Sequence, residues 1–188
     1  MQYENNRDRL IEILMTAKDV NEHKEEILKI VPELIITVDC TQDHPAHMYN
    51  VFDHTIAVVN GVGFDLVLKL SALLHDIGKP YVAKYVDGIE RFWGHEDVSS
   101  SLSYHILSRL KIENEVIEKV VHIIKYHDHK TKLSEDGVRD TVNIISEELM
   151  PIFWEHQTAD LMAHAPKYKS IMIGQLNQIK EIYKELYK

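Results

Sequence analysis

Apolar residues return at intervals of three and four along almost the whole chain, a spacing that favours α-helix over every alternative. Leu10, Ile13, Leu14 and Ala17 set the pattern within residues 5–18. A second short helix runs to about Val31, where Pro32 lacks the donor a helix interior needs. Residues 37–48 break the spacing and read as irregular, with Asp43-His44-Pro45 as a turn. Val51, His54 and Val58 then share one stripe and Phe52, Ile56 and Val59 another. They predict an amphipathic helix ended near Gly61 or Gly63. Leu66, Leu70, Leu73, Leu74 and Ile77 mark a buried helix stopped by Gly78 and Pro80. Residues 81–93 change character, and Asp87-Gly88 between short β-prone runs suggests a hairpin. Helical spacing resumes from Glu96, in segments near 98–110, 113–127, 134–148, 151–164 and 168–187. The expected fold is all-α: one domain over residues 1–188, a helical bundle of about eight or nine helices with a small β-hairpin near residues 81–93. The N-terminal helices, to about residue 40, are expected to pack on the core. Only 7 glycines and 5 prolines among 188 residues agree with so much helix.

The formal net charge of −9 repels polyanions, so a partnership with long nucleic acid is not expected. A local basic pocket for one phosphate stays compatible with it. Cys40 is the single cysteine, which excludes an internal disulfide and any cysteine-based zinc finger. The first ten residues, MQYENNRDRL, are too polar for a signal peptide. No apolar run reaches the roughly 18 residues a membrane span needs. The expectation is a cytoplasmic protein without a membrane partner; its oligomeric state is open.

Polar residues on the apolar stripes carry the chemistry. His75 and Asp76 stand side by side at the end of the most apolar helix, where a carboxylate is costly to bury unless paired or metal-bound. His54 lies on the inward stripe of the helix before. His127 continues the stripe of Val116, Val120 and Ile124, and Asp160 continues Phe153 and His156. Ligand types recurring on the inward faces of different helices are how a bundle builds a metal site in its core. Imidazole with carboxylate suits Fe, Mn, Ni, Co or Zn better than Ca. Of the other histidines, His122 lies off its stripe, His129 sits in the polar run DHKTK, and His105 beside Ile106 reads as core packing. His156 shares the face of Asp160. His23, His44, His47 and His164 suggest no chemistry, and Phe92-Trp93 reads as hairpin or core packing.

The run His54…His75-Asp76…Asp160, with LLHDIGKP over Leu73 to Pro80, resembles the HD superfamily of metal-dependent phosphohydrolases. Asn50-Val51-Phe52-Asp53-His54-Thr55 and Gly94-His95-Glu96 are similar to one branch, the HD module attached to bacterial tRNA nucleotidyltransferases. The resemblance spans about residues 43–165. It implies that His54, His75, Asp76 and Asp160 hold one divalent metal. Where a second is held, Asp76 would bridge and His95 and His127 would join it. The implied cofactor is one or two ions of Fe, Mn, Ni, Co, Zn or Mg. The chain lacks the downstream ED pair of (p)ppGpp hydrolases and the GYP motif of cyclic-di-GMP phosphodiesterases. It also carries no nucleotidyltransferase head.

The implied activity is hydrolysis of a phosphomonoester or phosphodiester, the partner being a small phosphorylated substrate, a nucleotide such as a 2′,3′-cyclic nucleotide or nucleoside monophosphate. Asp76 would act with the metal, Lys79 would hold a phosphate oxygen, and Glu96 or Asp128 would shuttle a proton. Two other readings share the scaffold: a di-iron oxygenase of the inositol-oxygenase type, and a non-catalytic metal-containing nucleotide sensor.

Overall fold

The computed structural model describes residues 2–43 and 45–187, so the expected turn at His44 lies outside the described residues. It is a helical bundle. Among the described residues, eight helices have nine residues or more: α1 (Gln2–Thr16), α4 (Val51–Gly61), α5 (Leu66–Leu74), α7 (His95–Arg109), α8 (Asn114–Tyr126), α9 (Glu135–Ile145), α10 (Met150–Ala163) and α11 (Pro166–Leu186). Shorter pieces, α2 (Lys24–Ile30), α3 (Ile35–Val38) and α6 (Lys79–Val82), join them. The hairpin pairs β1 (Lys84–Val86) with β2 (Ile89–Arg91) antiparallel, Lys84 opposite Arg91 and Val86 opposite Ile89. Asp87 and Gly88 both take positive φ, 52° and 76°, as a two-residue turn matched to strand twist requires. The hairpin is shorter than residues 81–93, because Tyr81 and Val82 wind into α6.

Local chemistry sets the helix starts that matter for the site. Asn50 accepts the Asp53 N–H at 2.6 Å and starts α4 one turn before His54. Asp65 accepts the Leu68 N–H at 2.9 Å and starts α5. The apolar stripes then bury as the spacing demands. Ile56, Val59, Leu70, Leu73 and Leu74 are in the main core with Leu14 and Ile27 from the N-terminal helices and Leu107 and Val120 from α7 and α8. A second apolar cluster joins α8, α9, α10 and α11 through Ile123, Val142, Phe153 and Leu176. The centre of the bundle is made where α4, α5, α8 and α10 meet: α4 packs on α5 and α10, and α5 packs on α8. Gly61 permits the close approach of α4 to α10, since a Cβ there would sit 3.3 Å from the Ala159 Cβ. No helix among the described residues is long and apolar enough to cross a membrane.

Candidate metal centre

The α5 helix stops at Leu74, one residue before the His75-Asp76 pair. Residues 75–78 form a turn into α6, and Asp76 within it is buried. Gly78 makes this turn possible. A Cβ there would meet the His95 carbonyl oxygen at 2.5 Å and the Ser99 nitrogen at 2.7 Å. The Gly78 N–H donates to Ser99 Oγ at 2.8 Å. The first turn of α7 is thereby held against the Asp76 loop, which brings His95 to the carboxylate.

Five side chains from five segments converge on Asp76, itself 1 % exposed. Its two oxygens face different partners. Oδ2 lies 3.2 Å from His75 Nε2 and 3.6 Å from His54 Nε2. Asp160 Oδ1 closes that side, 2.8 Å from His54 Nε2 and 3.8 Å from His75 Nε2. Oδ1 of Asp76 lies 3.3 Å from His95 Nε2 and 3.8 Å from His127 Nε2. The structure thus brings together all six residues the sequence nominates as ligands, in two sets that share one carboxylate. His54, His75 and Asp76, and likewise Asp76, His95 and His127, each have ligand atoms mutually within 4.8 Å.

Backbone carbonyls fix how the imidazoles point. His75 Nδ1 lies 2.9 Å from the Ala72 carbonyl, His95 Nδ1 lies 2.9 Å from the Phe92 carbonyl, and His127 Nδ1 lies 2.6 Å from the Ile124 carbonyl. A carbonyl only accepts, so each Nδ1 carries the proton and each neutral ring turns an Nε2 lone pair inward. That orientation by an outer hydrogen bond is usual for metal-ligating histidine. It also creates a conflict: His95 Nε2 and His127 Nε2 stand 3.1 Å apart, and two neutral rings would meet lone pair to lone pair. Buried His75 Nε2 and both oxygens of Asp76 lack a well-formed hydrogen bond. Lys79 Nζ approaches Asp76 Oδ2 to 2.7 Å, as an ion pair and not as a directed hydrogen bond. A divalent cation on each side of Asp76 would answer these orphaned acceptors together, so the residues fit the metal that the sequence implies.

The electrostatics of the protein groups centre on the buried carboxylates. Burial pushes the Asp76 carboxyl up, but His75 and Lys79 outweigh it and hold it well below the usual carboxylate range. Asp160 is likewise pushed up by burial and drawn well below by its contact with His54. Burial lowers His54 and His127. For His75 and His95 burial is overcome by Asp76, and both are raised.

The remaining nominated residues divide. Lys79, 7 % exposed, is bound within the site: its Nζ donates to Gln42 Oε1 at 2.7 Å as well as pairing with Asp76. Glu96 Oε2 lies 3.3 Å from His95 Nδ1, and the exposed Asp128 lies 3.9 Å from His95 Nε2. Both line a cavity of about 500 Å³ that opens over Asp76, Lys79, His95, His127 and Asp160. His156 is fully buried, its ring 5.1 Å from that of His75. His122 turns away to the Ile144 carbonyl, and half-buried His129 meets Thr141. His105 is exposed and not core, because the apolar side of α7 is carried by Ile106 and Leu107. Trp93 is also not core: it is 69 % exposed on the cavity rim.

Two histidines that the sequence left without a role belong to the site. His164 stacks on His54 at 5.5 Å between ring centres and has ligand atoms within 4.8 Å of those of His54 and Asp160. His47 meets the same two rings edge-on, at 5.7 Å from His54 and 4.8 Å from His164. His164 had a legible signal, since it lies four residues after Asp160 and therefore on the same helical face. His47 had none, because it sits in the irregular stretch before α4.

Residues 46–161 match the family described as HD domain. The chain is 33 % identical over 88 residues to an A-adding tRNA nucleotidyltransferase of Deinococcus radiodurans, covering 43 % of this chain and 20 % of that protein. It is 30 % identical over 104 residues to a CC-adding tRNA nucleotidyltransferase of Thermus thermophilus, covering 52 % and 24 %. It is 27 % identical over 103 residues to a multifunctional CCA protein of Burkholderia pseudomallei, covering 55 % and 24 %. The similarity thus spans a fifth to a quarter of the length of these relatives.

Proposed function

The chain belongs to the HD-domain family, and from that premise we propose that it is a metal-dependent phosphohydrolase acting on a phosphomonoester or phosphodiester of a nucleotide. The observation that carries the reading is Asp76, with one oxygen toward His54, His75 and Asp160 and the other toward His95 and His127. His54, His75, Asp76 and Asp160 would hold one cation; Asp76, His95 and His127 would hold a second.

Bound there, a divalent cation supplies Lewis-acid chemistry, polarising a phosphoryl oxygen and making water a stronger nucleophile at neutral pH. The chain's own residues do the rest. The Ala72, Phe92 and Ile124 carbonyls keep three imidazoles in the ligating tautomer. Lys79 balances Asp76 and lines the cavity, where its charge favours a phosphate oxygen. Asp128 and Glu96 stand at the cavity wall beside His95, placed to accept a proton from the attacking water or return one to the leaving oxygen.

The names of the relatives bring a second substrate of the same chemistry, the end of a tRNA. The net charge of −9 weighs against a long nucleic acid, and the cavity of about 500 Å³ has the size of one small ligand. Ring opening of 2′,3′-cyclic AMP to a nucleoside monophosphate, read by chromatography, and phosphate release from adenosine monophosphate and a 3′-phosphorylated tRNA, after loading with Mn²⁺, Co²⁺, Ni²⁺ or Mg²⁺, test both. Turnover of the small nucleotides is expected, with none by Asp76→Ala. No hydrolysis of any of these esters by any metal-loaded form, or full activity in metal-free Asp76→Ala, would refute the reading.

A further inference from the structure

An exposed indole is costly to leave in water, and Trp93 is 69 % exposed. It is also firmly placed. The hairpin before it is tied to the loop preceding α4: the Glu90 N–H donates to the Asp43 carbonyl at 3.1 Å, and the Asp43 N–H donates to Glu90 Oε2 at 2.9 Å. Tyr85 Oη adds a contact to Asp43 Oδ2 at 3.2 Å. On the other side the His95 N–H donates to the Phe92 carbonyl at 3.0 Å and locks the start of α7. Trp93 is therefore clamped two residues from the candidate ligand His95. It stands on the wall of the cavity that holds Asp76, and not on a flat surface. Arg91 and Lys130 line the same cavity, as do Tyr168 and Met172. At about 500 Å³ the space suits one small ligand.

We propose that Trp93 forms a ring-binding subsite, its indole stacking on the nucleobase of a substrate whose phosphate lies at the Asp76 end of the cavity. This rests on the phosphohydrolase reading for the position of the phosphate, but the stacking itself does not require turnover. Base stacking tolerates any base, so the subsite would select nucleotides over ringless phosphate esters with little preference among purines and pyrimidines.

Calorimetric titration of the Mn²⁺-loaded full chain with non-hydrolysable phosphonate analogues of adenosine monophosphate and of β-glycerophosphate tests it, using Trp93→Ala and Trp93→Phe. Stacking predicts that the affinity ratio of nucleotide to β-glycerophosphate falls about tenfold in Trp93→Ala and is largely restored in Trp93→Phe. Trp154 is 6 % exposed, so the nucleotide should quench the fluorescence of Trp93, and the quench should vanish in Trp93→Phe. An unchanged ratio in Trp93→Ala overturns the proposal. So does an equal loss for both ligands, which would mean the rim merely holds the site together, and so does failure of the wild type to bind the nucleotide. Stacking-dependent binding without hydrolysis of either a nucleoside monophosphate or a 2′,3′-cyclic nucleotide would instead refute the hydrolase reading and leave the subsite standing.

Discussion

His156 offers a quantitative check on how the interior beneath the metal centre is built. Its ring is fully buried against His75 and His127, and neither nitrogen has a well-formed hydrogen bond. Burial, with His75 and His127 nearby, pushes it from 6.5 down to about 3, the Ser71 backbone offering only weak relief. A histidine depressed in this way is neutral in the fold and charged in the unfolded chain at mildly acid pH. Its contribution is complete above pH 6.5 and is lost as pH falls from 6.5 toward 3. At pH 5 the unfolded chain binds the proton about 30 times better than not, and the fold hardly binds it, a loss of about 2 kcal/mol relative to pH 7.5. His156→Leu keeps similar volume and removes the titration. Urea unfolding in chelator, at pH 7.5 and pH 5.0, should show wild type losing about 2 kcal/mol more than the variant over that interval. Other histidines cancel in the comparison. Equal losses for the two proteins would show that His156 is solvated or partnered, and would refute the dry interior on which the argument rests.

Three further outcomes follow from the same geometry. Mn²⁺ or Co²⁺ at a hundredfold excess over its Kd should stabilise the protein by about 2.7 kcal/mol, raising Tm by roughly 5–10 °C, an increase read by calorimetry and reversed by EDTA; no shift in any metal would count against the site. Gly78→Ala forces a Cβ into the His95 carbonyl and the Ser99 nitrogen, and should cost about 3 kcal/mol or more in urea unfolding, with metal affinity falling as His95 is pushed from Asp76. Lys79→Met breaks a buried pair and should cost the metal-free protein about 3 kcal/mol, while the metal-induced rise in Tm becomes larger than in wild type because the cation takes over the neutralisation of Asp76.

Much of this was legible in the chain, for reasons that can be named. The helical stripes place His54 and Asp160 because an apolar face fixes the azimuth of every residue on it, and both lie on such faces. The hairpin was legible because Asp87-Gly88 accepts two positive φ angles in succession. What spacing missed depends on close approach or on loops. The spacing found His75 and Asp76 but carried their helix on to Ile77, whereas α5 ends at Leu74 and a turn follows in which Gly78 packs against α7. His47 lies in an irregular stretch, where sequence carries no azimuth. His105 failed as a core residue because a local pattern cannot tell which side of α7 faces α8. Trp93 failed in the same way, since hydrophobicity argues for burial and only the tertiary structure shows an indole left at a cavity mouth.

Asp76 lies past the last residue of α5, in the turn before α6, where its two oxygens face different neighbours. Oδ2 then reaches the histidines of residues 54 and 75, and Oδ1 reaches His95 and His127 across the interface of α7 and α8. His95 depends on Gly78 for its approach, and His127 depends on the Ile124 carbonyl for its orientation. The first set draws its other ligands from α4 and α10, which pack closely through Gly61 and Ala159. Loss of His95 or His127 should therefore weaken one cation and spare the other, whereas loss of Asp76 should weaken both.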